Sequence, residues 1–145
     1  MGDGWETARN PDRPAVLEIG EDGLVKAPGS DWAVLKLGAI GTISRIVVDT
    51  NRFKGNFPES FMVEACLAPM AAKEELLRDN KDKTISWKCL VPRVCAGPSR
   101  EHTMELAKGD LEDVGPVSHL KVSIFPDGGI MRLRAFGQRF VNMNK

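Results

Sequence analysis

Tyrosine is missing from this sequence, and the other aromatic residues amount to only 6% of it. A sugar-binding loop face favours exposed aromatics, and here only Trp5, Phe53 and Phe57 lie near polar loops. Cysteine is scarce and odd in number, with three residues in all. Cys89 and Cys95 stand six positions apart rather than the three of a CxxC pair, which leaves neither a disulfide framework nor zinc spacing. We expect three reduced, partly buried thiols of a cytosol-like compartment, where they can serve simply as small hydrophobes. Two histidines, His102 and His119, are too few for a multi-histidine metal centre within the chain. Twenty basic and twenty acidic residues cancel, so the basic surplus that phosphate backbones demand is absent and no nucleic-acid partner is expected.

Long apolar runs are also missing. Uncharged stretches such as Ala65–Ala72 fall far short of the ~20 residues a spanning helix needs, so no membrane association is expected. The first residues carry neither the basic nor the apolar region of a signal peptide, and Asn142–Lys145 is no recognised peroxisomal ending. The expected location is therefore cytoplasmic, with a peroxisomal one left open as the alternative. A GxSxG elbow, an HExxH helix and a phosphate-binding loop are all absent, so no generic catalytic signature announces itself.

What is present is an ordinary globular composition, 42% apolar and 28% charged. The 145 residues suit a single domain over 1–145, able to bury about two-thirds of its unfolded surface without metals or disulfides. The dominant hydrophobic period is two. Strands are predicted at Trp32–Leu37, stopped by Gly38, and at Ile43–Asp49, Phe61–Cys66, His119–Phe125 and Ile130–Phe136, with weaker ones at Val16–Ile19, Ser86–Val91 and Thr103–Ala107. Leu120, Val122 and Ile124 share a core face, while Lys121 and Ser123 share the other. Pro126-Asp127-Gly128-Gly129 has turn chemistry, so the runs on either side are expected to pair as a hairpin. Only Ala71–Asp79 looks helical, and Asp79–Lys83 reads as a polar loop. Short one-sided strands between Gly, Pro and Asn turns predict an all-β, antiparallel jelly-roll β-sandwich with one short helix.

Four polar clusters lie beside turns. In the first, Trp5, Glu6 and Arg9 could pack against and grip a small polar ligand, or could plug one end of the sandwich. The second runs from Asp49 through Lys54 and Asn56. Lys54 could hold a carboxylate and Asn56 could bond an amide, or Gly55-Asn56 could simply turn the chain. The third is Ser30-Asp31-Trp32, where Asp31 could satisfy a turn amide. The fourth comprises His119, Asp127 and Arg132. A histidine at a strand entrance is either a structural residue or a proton carrier, since its reference pKa lies near 6.5.

Read in order, the segments say more. Gly2–Thr7, Asp31–Gly38, Gly41–Ile43, Val48–Thr50, Phe53–Pro58, Glu64–Cys66, Ser118–Leu120 and Ile124–Ile130 together resemble the allantoicase family over roughly Gly2 to Gly137. The resemblance implies a hydrolase that converts allantoate to ureidoglycolate and urea in purine degradation, with a galactose-binding-like jelly roll in two copies. This chain matches one copy, most like the second module of animal enzymes. A second module and a homo-oligomer are therefore implied partners. The chain is expected to be a domain of a longer protein or a short member of the family. Two departures stand out: Arg9 and Arg13 are all that remain of a richer arginine run, and Ser30 stands where histidine often precedes Asp-Trp.

Releasing urea from allantoate requires a base, a proton for the departing nitrogen, and water at the central carbon or an equivalent elimination and addition. Chemistry placed on the motif positions makes Glu6 or Asp49 the base and His119 the alternate acid or base. Lys54 with Arg9 or Arg132 would clamp the substrate carboxylate, Asn56 would read a ureido group, and Trp5 would form a wall. No organic cofactor is needed and no compact metal-ligand set is seen. The alternative reading is a non-catalytic ligand-binding module, inert without its partner. For a small anionic diureide, Trp5–Arg9 and Lys54–Asn56 must meet in space.

Overall fold

The computed structural model describes residues 4–9, 11, 13, 16–26, 30–77 and 85–140. Within them the chain forms strands β1 (Trp5–Glu6), β2 (Glu18–Ile19), β3 (Val25–Lys26), β4 (Asp31–Asp49), β5 (Ser60–Cys66), β6 (Lys88–Cys95), β7 (Glu101–Glu105), β8 (Val117–Phe125), β9 (Gly129–Ile130) and β10 (Arg132–Arg139). One short helix, α1 (Lys73–Leu77), opens with the Glu75 carboxylate accepting the Ala72 N–H. The predicted continuation to Asp79 and the polar loop Asp79–Lys83 lie outside the described residues.

The organising element is β4. Its first part, Asp31–Lys36, pairs with β8, which pairs with β5, which pairs with β6. Its second part, Gly41–Asp49, pairs with β10 on one side and, from Arg45 on, with β7 on the other. All of these ladders are antiparallel. The register shifts between Lys36 and Gly41, where the strand leaves one partner and takes up the next. The expected stop at Gly38 is therefore corrected: the glycines sit where β4 changes register and takes up a new partner, not at a strand end.

The two layers close over one core. Ile46 and Val48 of β4, Phe61 and Val63 of β5, and Leu120 and Val122 of β8 belong to it, with Leu90, Met104, Ile124 and Ile130 around them. Each such large side chain, fully buried, stabilises the fold by about 1.5–3 kcal/mol. The molecule is an antiparallel β-sandwich with one short helix, as the period-two pattern predicts.

The predicted hairpin about Pro126–Gly129 does not form. β8 already has β4 on one edge and β5 on the other, so neither edge is left for β10. Instead β9 pairs with β1 and β10 pairs with β4. The outer face of β8 is largely covered as well, since His119 and Ser123 are buried on this central strand and Lys121 is partly buried. Of the weaker strands, β2 keeps only Glu18–Ile19, and β7 begins two residues early and gives way to a 3-10 turn at Leu106. β6 runs past Pro92 to Cys95, which an edge strand tolerates because one row of its N–H groups needs no partner. The thiols divide unevenly: Cys66 is buried, whereas Cys89 and Cys95 are exposed.

Candidate functional site

Three segments remote in sequence meet beyond the Phe125 end of β8. Strand β1 lies antiparallel to β9, with Trp5 opposite Ile130 and Glu6 opposite Gly129. Thr7 extends the contact: its N–H donates to Gly128 O at 3.0 Å, and its hydroxyl accepts the Gly128 N–H at 3.1 Å. On its other side the connector touches the loop after β4, where Gly129 N–H donates to Asn56 O at 2.7 Å.

The approach is possible only for glycine. Gly128 has a φ of 134°, and a Cβ there would stand 2.7 Å from Pro58 N and 2.8 Å from Asn56 O. A Cβ on Gly129 would fall 2.2 Å from the buried Phe53 ring. Gly128-Gly129 thus serves as the floor on which the N-terminal segment and the 53–58 loop come together. Across it, Asn56 Nδ2 donates to Glu6 Oε1 at 2.5 Å. The Trp5–Arg9 and Lys54–Asn56 segments meet.

Beside this bond lies an open polar cleft of about 510 Å³, with Thr7, Arg9, Arg13, Asn56, Glu59 and Asp127 among its walls. Arg13 Nη1 donates to Asp127 Oδ1 at 2.9 Å, so these two charges balance each other. Glu59 faces Arg93 at 3.5 Å. Arg9 makes no ion pair among the described residues, and its guanidinium remains a cation available to an anion in the cleft. Among the described residues no group of three or more His, Cys, Asp and Glu side chains is placed to hold a metal ion.

The remaining candidates lie elsewhere. Lys54 is exposed beside Gly55 and Asn56, on the rim rather than in the wall. Trp5 borders a separate small groove with Trp32. Asp49 is buried; its carboxylate accepts the Asn51 N–H at 2.8 Å and an Arg134 N–H at 3.4 Å, closing the turn after β4. Arg132 is exposed and donates to Met131 O, one residue away.

His119 is six residues from Phe125 along β8, hence about 20 Å from that end of the strand. It stands between Lys36 and Cys66 in the ladders, with Nδ1 2.8 Å from Ser118 Oγ. Burial, and then the Lys36 charge, push its pKa below the ordinary histidine value. Ser118 Oγ in turn accepts the Ala68 N–H and donates to Cys66 O.

The sequence reading passed over Glu59, noted Arg13 only as part of an arginine run, and placed Asp127 in a polar cluster without giving it a chemical role. Asp127 looked like a turn residue of a hairpin, and only the pairing of β9 with β1 turns that connector toward the N-terminal arginines.

Residues 1–140 match the family model described as the allantoicase repeat. A probable allantoicase of Stutzerimonas stutzeri is 38% identical over 138 residues, covering 95% of this chain and 35% of that protein. A probable allantoicase of Photobacterium profundum is 36% identical over 137 residues, with 94% and 35% covered. The crystal structure of allantoicase from Saccharomyces cerevisiae superposes with a TM-score of 0.64 at 35% identity, covering 93% of this chain and 31% of that one. The chain thus spans about a third of the length of the curated relatives it matches.

Proposed function

The chain belongs to the allantoicase family, and on that premise we propose that it is one repeat of a hydrolase cleaving allantoate to ureidoglycolate and urea. The observation that supports this reading is the Glu6–Asn56 bond, whose amide borders the cleft that Arg9 also lines; in this reading one small ligand engages the carboxylate, the amide and the guanidinium together. Allantoate presents one carboxylate and two ureido groups on a single carbon. Arg9 takes the carboxylate in a bidentate pair, with Lys54 adding positive charge from the rim. Asn56 offers both an acceptor and a donor to a ureido group.

Glu6 is the base. It removes a proton from a water whose oxygen bonds to the central carbon as the carbon–nitrogen bond breaks. The same proton then passes to the departing ureido nitrogen, so urea leaves neutral and a hydroxyl remains on ureidoglycolate. Asp49 and His119 keep structural contacts in this scheme, and Arg132 lies outside the cleft. No organic cofactor enters.

A second reading has its own support in length. A repeat covering about a third of its relatives can supply binding groups while another part of the protein completes the chemistry. The measurement that tests the proposal is urea release from allantoate, by this chain alone and joined to a second repeat. Release in either form supports the hydrolase. Saturable allantoate binding with no urea from either form would make the module a binder, and neither binding nor release would overturn both readings.

A further inference from the structure

Residues 4–9 carry Glu6 and Arg9, yet little in the fold holds them. Thr7 alone among them is not exposed, and none of them belongs to the hydrophobic core. β1 has only two paired residues, too short a strand to stay on a sheet by itself. The Glu6 side chain is exposed and meets one partner among the described residues, Asn56. A further contact has to fix where Glu6 stands.

Gly128 supplies it. This glycine is buried, and β9 begins only at Gly129, so the ladder with β1 stops one residue short of it. Buried peptide groups need partners. Thr7 satisfies both groups of Gly128. Its N–H donates to Gly128 O at 3.0 Å, and its hydroxyl donates to the same oxygen at 3.2 Å while accepting the Gly128 N–H at 3.1 Å. Gly129 then donates to Asn56 O, so bonded groups lead from the Glu6 segment to the loop that carries its partner. Thr7 also lines the cleft, but its one hydroxyl proton is engaged by Gly128, so it reaches a ligand only through its neighbours.

We propose that Thr7 is the positioning residue of this site: it clamps the N-terminal segment on Gly128 and so holds Glu6 against Asn56 and Arg9 at the cleft. The catalytic consequence rests on the hydrolase reading, and the clamp itself does not.

Two variants test it. Thr7→Val keeps the branched shape and removes the hydroxyl, and Thr7→Ser restores the hydroxyl. NMR spectra of the chain read the clamp without substrate. Thr7→Val should shift the Asn56 side-chain amide signals and quicken amide exchange at Thr7 and Gly128 at least about tenfold, while Leu120 stays protected. In whichever form, the chain alone or joined to a second repeat, releases urea from allantoate, Thr7→Val should lower kcat at least about tenfold and raise KM about threefold or more, because Glu6 and Arg9 are both displaced. Loss of folded protein alone would lower kcat and leave KM in place. Thr7→Ser should stay within about threefold in both constants. Unmoved Asn56 signals, quickened exchange at Leu120, unchanged KM in Thr7→Val, or a Thr7→Ser variant as impaired as Thr7→Val would each overturn the proposal. Absence of urea from every form would strike the hydrolase reading, and the spectra would then decide the clamp.

Discussion

The two ends of β8 both gather polar side chains and do opposite things with them. At the Val117 end, Ser118, His119 and Cys66 are buried, and the serine hydroxyl is satisfied by groups close by in the same pair of strands. At the Phe125 end, Glu6, Asn56, Arg13 and Asp127 come from three segments remote in sequence and border an open cleft. In the first arrangement the polar groups are bonded locally among the described residues. The second depends on backbone approach across two glycines, and it leaves the Arg9 guanidinium without an ion pair among the described residues. The contrast teaches that a titratable side chain near a strand end means little until its partners are known. His119 looked like a proton carrier from its sequence position, and the ladder buries it between Lys36 and Cys66.

The largest effect that would break this contrast is expected at Gly128. Gly128→Ala combines a positive φ with a Cβ 2.7 Å from Pro58 N, and should cost about 3 kcal/mol or more. Chemical denaturation measures the loss. Amide exchange should quicken at Thr7 and Gly129 while Leu120 stays protected; uniform loosening would mean that the two ends are not separate.

Thiol labelling sharpens the contrast next. Burial pushes the Cys66 thiol up to about 11, so little thiolate exists there at pH 8. Native labelling should modify Cys89 and Cys95, with Cys66 reacting at least about tenfold more slowly until the chain is denatured. A third thiol reacting as fast would show that the Val117 end is open.

A smaller effect concerns pH. The pKa of His119 is held below 6.5 by desolvation and by Lys36, so the unfolded chain binds its proton first as pH falls. The contribution of His119 to stability is whole above pH 6.5 and is lost as pH drops below 6.5 toward the folded value. His119→Asn, which keeps a donor near the Nδ1 position, should flatten the fall in denaturation midpoint between pH 7 and 5. An unchanged slope would assign the acid sensitivity to other groups. The smallest effect belongs to Gly38, where a Cβ meets nothing within 4 Å. Gly38→Ala should be neutral or stabilise by up to about 1 kcal/mol, in contrast to Gly128→Ala.

Much of the fold is legible in the sequence because alternation reports which face a residue takes. Leu120, Val122 and Ile124 read as core and are core. Alternation does not report neighbours, which is why the runs flanking Pro126–Gly129 looked like a hairpin when β4 and β5 already filled both edges of β8. β1 has only two residues, too few for any period to show. The meeting of Glu6 with Asn56 was legible through ligand chemistry, since one small diureide needs groups that neither segment holds alone. Arg13 and Asp127 were not, because their pairing follows from the β1–β9 contact that the hairpin reading excluded.

The most direct test of the central claim, that the proposed chemistry belongs to the Phe125 end of β8, is a comparison of two variants in whichever form, the chain alone or joined to a second repeat, releases urea from allantoate. Steady-state urea release should show Glu6→Gln losing about a hundredfold or more in kcat, with KM changed by less than about threefold. His119→Asn should stay within about threefold of the unmodified protein in both constants. An equal or larger loss of kcat in His119→Asn, or full activity in Glu6→Gln, would contradict the account.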